Sequence, residues 1–175
     1  MRAISVSFLI AGSTAITGCG WMEGDSDGGN SDRITATSVS IESYSVTGTS
    51  PTLLPSAPKP ISASNNGGAF TIQWDASANG IVDIELSVKE ADGTIDFCAD
   101  GPHEFYDRPC GGDYACQLQM TLDCTFGNDN RIDCTGGKGV DLSGFLDQIP
   151  KQADLQIKVR GRNTVSCSSE RVEFR

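Results

Sequence analysis

The residues best suited to chemistry lie around the single histidine of the chain, His103. Glu104, Asp107 and Cys110 follow it closely. A thiol beside a histidine could form a nucleophile–base pair, and the four side chains together suggest a metal. The first requires a free thiol, and a structural zinc site requires four closely spaced nitrogen or sulfur ligands, which this stretch lacks. We therefore expect a polar surface stretch, with no catalytic residue and no zinc.

Two acidic stretches raise the question of calcium. They are Asn128, Asp129, Asn130 and Asp133 in one stretch, and Asp96, Asp100 and Asp107 in the other. Calcium needs six to eight converging oxygen ligands, and neither stretch has the spacing of an EF-hand loop. Turn formation explains residues 128–130 without a metal. We expect no cofactor, with calcium as the one ion that the sequence leaves open.

Six of the seven cysteines lie between positions 98 and 167. An even number in an exported chain predicts disulfides, and six cysteines allow 15 connectivities that sequence alone does not distinguish. Cys124 and Cys134 flank a turn near Asp129 and would face each other across a hairpin, so they are the best single pair. The other candidate pairs are Cys110–Cys116, which would close a small loop, and Cys98–Cys167, which would then remain.

The seventh cysteine, Cys19, ends a stretch typical of export. A single charge at Arg2, a short apolar run and small residues at a cleavage point predict a signal peptide over residues 1–18. The apolar run is too short to span a hydrocarbon core of about 30 Å. Ile16-Thr17-Gly18-Cys19 resembles the bacterial lipobox. The resemblance implies cleavage before Cys19 and acylation of its sulfur, with palmitate among the acyl chains.

Residues 19–32 are rich in Gly, Asp, Asn and Ser, which predicts a flexible tether with a reach of roughly 20 Å. Stable anchoring by lipid needs more than one acyl chain, which the triacyl modification of bacterial lipoproteins would supply. Gly20, rather than Asp, follows the cysteine, and in enterobacterial-type envelopes this resembles sorting to the outer membrane. We therefore expect the protein in the cell outer membrane, held there by its lipid.

Charge patterning excludes some partners and places opposite charges on two strands. Without the signal peptide the chain has 12 basic and 23 acidic side chains, a net charge of −11, which repels nucleic acid. Lys158, Arg160 and Arg162 share one strand face, and Asp83 and Glu85 share another. Opposite charges that face each other across adjacent strands contribute about 0.2–1 kcal/mol per pair, which is the structural interpretation of this pattern. The alternative is a basic docking stripe for an acidic partner.

Alternation of apolar and polar residues dominates positions 33–175. It is clearest from Phe70 to Trp74, from Val82 to Val88 and from Leu155 to Val159, and it predicts about eight strands. We interpret residues 96–114 as an irregular loop held by cysteines, and residues 140–149 as one or two helical turns. The pattern favours an all-β fold, a two-sheet antiparallel sandwich over 33–175 with a disulfide-rich insertion at about 96–147.

Two stretches carry a family resemblance. Pro55-Ser56-Ala57-Pro58 leads to Phe70-Thr71-Ile72-Gln73-Trp74, which looks like the opening of a fibronectin type III domain. Leu155 to Asn163 resembles the penultimate strand of that family, and Val172-Glu173-Phe174 its last strand. The resemblance covers roughly residues 55–90 and 148–175, and other immunoglobulin-like sandwiches share these motifs. It implies a fold in which the strand of Asp83 and Glu85 neighbours the strand of Lys158 and Arg160, so that their charges pair. It does not determine a function.

These observations predict a lipid-anchored, non-enzymatic binding or interaction module of the cell envelope. Its partner would be an envelope or extracellular protein or a glycan. We expect the contact in the loop 99–114, where Phe105, Tyr106 and Arg108 would be exposed, because aromatic residues and Arg commonly dominate interfaces. The alternatives are an envelope enzyme, a hydrolase with its site at 96–147, and an inhibitor or structural spacer.

Overall fold

A computed structural model describes residues 33–51, 57–91, 98–99 and 101–175. The predicted signal peptide and tether lie outside these residues. The described ranges contain ten strands, one 3₁₀ turn over Asn66–Gly68 and no α-helix. The strands are β1 Val39–Thr47, β2 Lys59–Ile61, β3 Ala69–Ala78, β4 Val82–Glu90, β5 His103–Cys110, β6 Gln119–Phe126, β7 Arg131–Cys134, β8 Val140–Asp141, β9 Lys151–Arg160 and β10 Val165–Phe174.

The strands form two five-stranded sheets that pack face to face. Sheet A has the order β1-β3-β6-β7-β8, and sheet B has the order β2-β10-β9-β4-β5. All pairs are antiparallel except β2 with β10. The predicted all-β, two-sheet sandwich is confirmed. The cysteine-rich stretch 96–147 supplies β5 to β8, so it takes part in both sheets.

The inner faces of the sheets make one hydrophobic core, as the alternation predicted. In β3, Phe70, Ile72 and Trp74 are buried, and in β4 the inward residues run from Val82 to Val88. Aromatic rings join the sheets at two points. They are Trp74 with Tyr106, whose centroids are 6.2 Å apart, and Phe126 with Phe174, at 5.1 Å. Burying one such side chain contributes about 1.5–3 kcal/mol, so these contacts fix how the sheets face each other.

The predicted loop at 96–114 is wrong in part, because some of it is a strand that contains a β-bulge. Residues 103–110 form β5 at the edge of sheet B, paired with β4. The register shifts between Leu86 and Ser87, which face Tyr106 and Glu104, so Phe105 is the extra residue of a bulge. The bulge places two consecutive aromatic residues in the core. Because this breaks the period of two, the sequence pattern concealed the strand.

The predicted helical turns at 140–149 are reduced to a single turn. The amide of Leu146 donates to the carbonyl of Leu142 at 2.7 Å, and no helix follows. Leu142, Phe145 and Leu146 are buried, but Ile149 is 48% exposed. The apolar spacing therefore reflects one tight turn that caps the core rather than an amphipathic helix.

The three disulfides join the pairs that the sequence favoured. They are Cys98–Cys167, Cys110–Cys116 and Cys124–Cys134, with Cα–Cα distances of 5.6, 4.6 and 4.0 Å. Cys124 and Cys134 lie directly opposite each other in the β6–β7 ladder. The bond from Cys98 reaches β10 over 69 positions, whereas the other two close loops of 10 and 6 positions.

We predict that the stability lost with each disulfide follows the length of the loop it closes, because a longer loop restricts the unfolded chain more. Replacing both cysteines of a pair with Ser should lower the free energy of unfolding by about 4, 3 and 2 kcal/mol for Cys98–Cys167, Cys124–Cys134 and Cys110–Cys116 respectively. Urea unfolding at equilibrium measures these losses. The reduced wild-type protein is the reference without any disulfide, and a smallest loss for Cys98–Cys167 would contradict the prediction.

Candidate functional site

Two of the three residues predicted to be exposed for binding are in the core. Phe105 is 0% and Tyr106 is 3% exposed, because the β5 bulge directs both rings inward. Their predicted role as exposed contacts is therefore wrong. Arg108 lies exposed on β5. Its role in binding stays a prediction.

The group around His103 does not assemble into a nucleophilic site. Cys110 is bonded to Cys116, so it has no free thiol. The ring of His103 packs against that of Phe145, with centroids 5.1 Å apart. Glu104 forms an ion pair with Lys138. These contacts use the side chains to close the side of the sandwich between β5 and the segment after β7.

Of the residues considered for calcium, those at 128–130 form a turn, whereas Asp107 lies on strand β5. The amide of Gly127 donates to the carbonyl of Arg131 at 2.8 Å, and Asn130 takes a positive φ of 59°. Asp133 pairs with Arg131 at 3.0 Å. Asp96 and Asp100 lie outside the described residues. Across the described ranges, no three His, Cys, Asp or Glu side chains come together in a way that would hold a metal ion.

The opposite charges predicted on neighbouring strands do meet, on the outer face of sheet B. β4 pairs with β9 so that Asp83 faces Arg160 and Glu85 faces Lys158. The Glu85 carboxylate lies 2.8 Å from Nζ of Lys158 and 3.1 Å from a guanidinium nitrogen of Arg160. Lys158 is only 4% exposed. Asp83, Glu85 and Lys158 are thus buried although they point away from the core, which the sequence pattern did not predict, whereas Arg160 stays exposed.

The chain between β4 and β5 contributes to this burial. Cys98 is bonded to Cys167, which faces Lys158 in the β9–β10 ladder. The carbonyl of Ala99 accepts a hydrogen bond from Nζ of Lys89 at 3.2 Å. A Cβ on Gly101 would lie 2.2 Å from Oγ of Ser87, so only glycine permits this approach. These residues, which we term the crossing segment (98–99 and 101), lie against the outer face of sheet B.

Asp83 is the one carboxylate of this charged face whose burial is incompletely compensated. It is 7% exposed, and its Oδ1 atom has no hydrogen-bond partner. Burial, followed by the nearby negative charge of Asp107, raises the pKa of Asp83 to about 6, against the opposing effect of Arg160. Burial, followed by the charge of Glu104, also raises the pKa of Asp107. The folded state therefore holds the Asp83 proton more tightly than the unfolded state does.

We predict that Asp83→Asn stabilises the protein at neutral pH. Since the folded pKa of Asp83 is raised to about 6, the ionised side chain lowers stability as pH rises from about 4 through 6, and this loss is complete above 6. The amide should raise the free energy of unfolding by about 1–2 kcal/mol at pH 7 and by little near pH 4. Chemical unfolding across this pH range measures the difference.

The matched control is Asp75→Asn, because Asp75 lies on the other sheet, where it pairs in register with Gln119. This control variant should show no comparable gain in the free energy of unfolding as the pH rises from 4 to 6. An equal gain from Asp83→Asn at pH 4 and pH 7 would show that removing the charge is not the cause.

A groove of about 480 Å³ lies on the outer face of sheet A, at the end where β3 begins and β6 ends. Its polar side chains come from four strands and from the residue after β7, and they are Thr47, Thr71, Asp123, Thr125, Asp133 and Thr135. Thr47, Thr71 and Asp123 form one row across β1, β3 and β6. Ala69, Thr125 and Asp133 form the next row. Because the Ala69 side chain is small, a depression forms at its position, and Asn66 lies at the margin of this depression.

Local sequence fixes the walls of this groove. The disulfide between Cys124 and Cys134 holds β6 and β7 in register, with Asp123 and Thr125 on the opposite side of β6. Gly68 has a φ of 75°, and a Cβ there would lie 2.1 Å from the carbonyl oxygen of Phe126. A glycine is therefore required to bring the 3₁₀ turn, with Asn66, against the end of β6.

The groove carries negative charge from Asp123 and Asp133. Nε of Arg131 donates to both carboxylate oxygens of Asp133, at 3.0 and 3.1 Å, which orients that side chain and offsets its charge. Asp123 is exposed. Threonine hydroxyls donate and accept hydrogen bonds, and a carboxylate only accepts. The arrangement suits a ligand that supplies donors and acceptors together.

The alternation in the sequence contains a signal for the groove, which is the polar half of the pattern. In β6, Leu122 and Cys124 mark the core face, while Thr121, Asp123 and Thr125 alternate with them on the other. The same holds for Ala69 and Thr71 in β3. The pattern gives the face of each strand, but not which strands lie side by side.

No family model, no curated protein and no solved structure matches this chain. Within the part of the chain that the structure describes, no helix is long and apolar enough to cross a membrane.

Proposed function

We propose that this protein is an exported lipoprotein, acylated on Cys19, whose sandwich is a non-enzymatic binding module of the cell envelope. The observation that carries the proposal is the placement of the groove relative to the point where residue 33 joins the sandwich. The amides of Thr35 and Ala36 donate to the carbonyl of Ile81 at 3.0 Å, and the carbonyl of Ala36 accepts from Arg162 at 2.7 Å. This end of the sandwich is therefore the one attached to the preceding chain.

The groove lies at the other end of the same strands. β3 runs ten residues from the groove to the attached end, which corresponds to about 30 Å at about 3.3 Å per residue. A flexible tether over residues 19–32 would connect the attached end to the lipid. The groove would then lie at the end remote from the point of attachment, where neither the tether nor its attachment blocks a partner in the envelope or outside the cell.

The cysteines support the same proposal. The six cysteines after Cys19 are joined to one another in three disulfides, as expected in an oxidising compartment. Cys19 is the one cysteine outside this set, and it stands at the end of the lipobox-like stretch. Since Gly20 follows it, we propose the cell outer membrane as the location, with the lipid as the contact to the membrane.

The binding role is supported by a surface rather than by a reactive group. The groove collects hydroxyl, amide and carboxylate groups from strands held in register, which is a common basis for recognition. Neither the hydrolase alternative nor the inhibitor or spacer alternative is favoured by a specific contact among the described residues. A protein or glycan partner of the envelope remains our proposal.

We predict that Cys19→Ser abolishes lipid attachment. Cells labelled with radioactive palmitate should yield labelled wild-type protein in the membrane fraction and unlabelled Cys19→Ser protein. The matched control is Thr17→Ala, which brings the stretch closer to the usual lipobox and should keep both label and membrane fractionation. Mass analysis of the wild-type amino terminus provides the independent readout. An intact, unacylated terminus would refute the proposal.

A further inference from the structure

We infer that the groove on sheet A binds an uncharged oligosaccharide. This inference rests on the proposed binding function and names the ligand class of the same surface. Its starting point is the shape of the groove, which is an open depression of about 480 Å³ across β3, β6 and β7. That volume falls within the range of roughly 300–1,000 Å³ typical of small-ligand sites. Because the groove is open along the sheet, it can accommodate a chain of sugar units that continues beyond the contact.

The hydrogen-bonding groups match those of a sugar. Thr71, Thr125 and Thr135 each offer a hydroxyl that donates and accepts, and the Asn66 amide does both. The Asp123 carboxylate accepts from a pair of adjacent hydroxyls. A sugar ring presents hydroxyls with both capacities in the same small area. An apolar ligand would leave these groups without water and without partners, which is unfavourable.

The negative charge of the groove further limits the class of ligand. The groove carries Asp123 and Asp133, and the whole chain has a net charge of −10, so an anionic glycan is repelled. A basic ligand gains less binding free energy than the presence of two carboxylates suggests, because Arg131 already pairs with Asp133. The one remaining carboxylate is exposed, where an ion pair contributes little. Uncharged hydroxyl-bearing ligands are therefore favoured over both charged classes.

The site is rigid before binding. The Cys124–Cys134 bond clamps the hairpin that carries Asp123, Thr125 and Asp133, and the ladders to β3 fix the spacing between rows. A site on strands held in register loses little conformational freedom when the ligand arrives.

The test uses the full mature lipoprotein, extracted from membranes in detergent and applied to an array of defined oligosaccharides. The array carries uncharged chains of glucose, galactose, mannose and N-acetylglucosamine, their sulfated or carboxylated counterparts, and a lysine-rich peptide. We expect binding to at least one uncharged chain and not to its anionic counterpart or to the peptide. Titration with that chain then gives the dissociation constant for each variant.

Three variants locate the contact. Asp123→Ala should weaken binding by about tenfold or more, and Thr125→Val, which removes a hydroxyl with little change in shape, by about threefold to tenfold. The matched control is Thr121→Val, because Thr121 lies on the same face of β6 but outside the groove, and it should bind as the wild type does. Thermal melting of each variant confirms that it is folded.

Binding of an uncharged chain that is lost in the groove variants and kept in the control supports the inference. Failure of every uncharged chain to bind, equal binding by all variants, or preference for the peptide or an anionic glycan overturns it. These outcomes are separate from acylation. A chain that binds the sugar but carries no lipid refutes the anchoring alone, and an acylated chain that binds no sugar refutes the ligand class alone.

Discussion

The packing of the two inner sheet faces against each other is the interaction on which the rest of the molecule depends. Trp74 of sheet A meets Tyr106 of sheet B, and Phe126 meets Phe174, so the sheets are joined through large buried rings. Outside the β5 bulge, a strand buries alternate residues on this interface, and the residues between them lie on an outer face. That alternation places the charges on the outer face of sheet B and the polar side chains of the groove on sheet A. The disulfides then fix connections that the core itself does not constrain, above all the one that carries the crossing segment to β10.

The two outer faces meet this constraint in different ways. On sheet B, Glu85 and Lys158 are covered, and their pairing at 2.8 Å offsets the cost of removing two charges from water. Asp83 has no such complete compensation, which explains why its pKa rises. On sheet A the polar residues stay open to solvent, and the small Ala69 side chain leaves a depression among them. One face therefore stabilises the crossing segment against the sheet, while the other is accessible to a ligand.

Much of the fold was predictable because its signals are local. The alternation in β3, β4 and β9 arises because one face of each strand packs in the hydrophobic core, and the sequence displays it directly. The Cys124–Cys134 pair was predictable because the two residues flank a short turn, so a hairpin must bring them together. The β5 strand was missed because its bulge buries Phe105 and Tyr106 in succession, and a bulge is set by the partner strand rather than by β5 alone.

The sequence by itself determined the core-facing residues of the regularly alternating strands β3, β4 and β9, that the fold is all-β, and that the cysteines after Cys19 are even in number and therefore able to pair fully. Only the tertiary structure decided that Thr47, Thr71 and Asp123 form one row, because their strands are far apart in the chain and no single strand specifies the order of the strands in the sheet. The same holds for the burial of Lys158, which depends on surroundings supplied by other strands and by the distant crossing segment. Periodicity is a property of one strand, whereas a groove or a buried charge depends on several strands. The placement of those strands relative to one another follows from how the sheets pack.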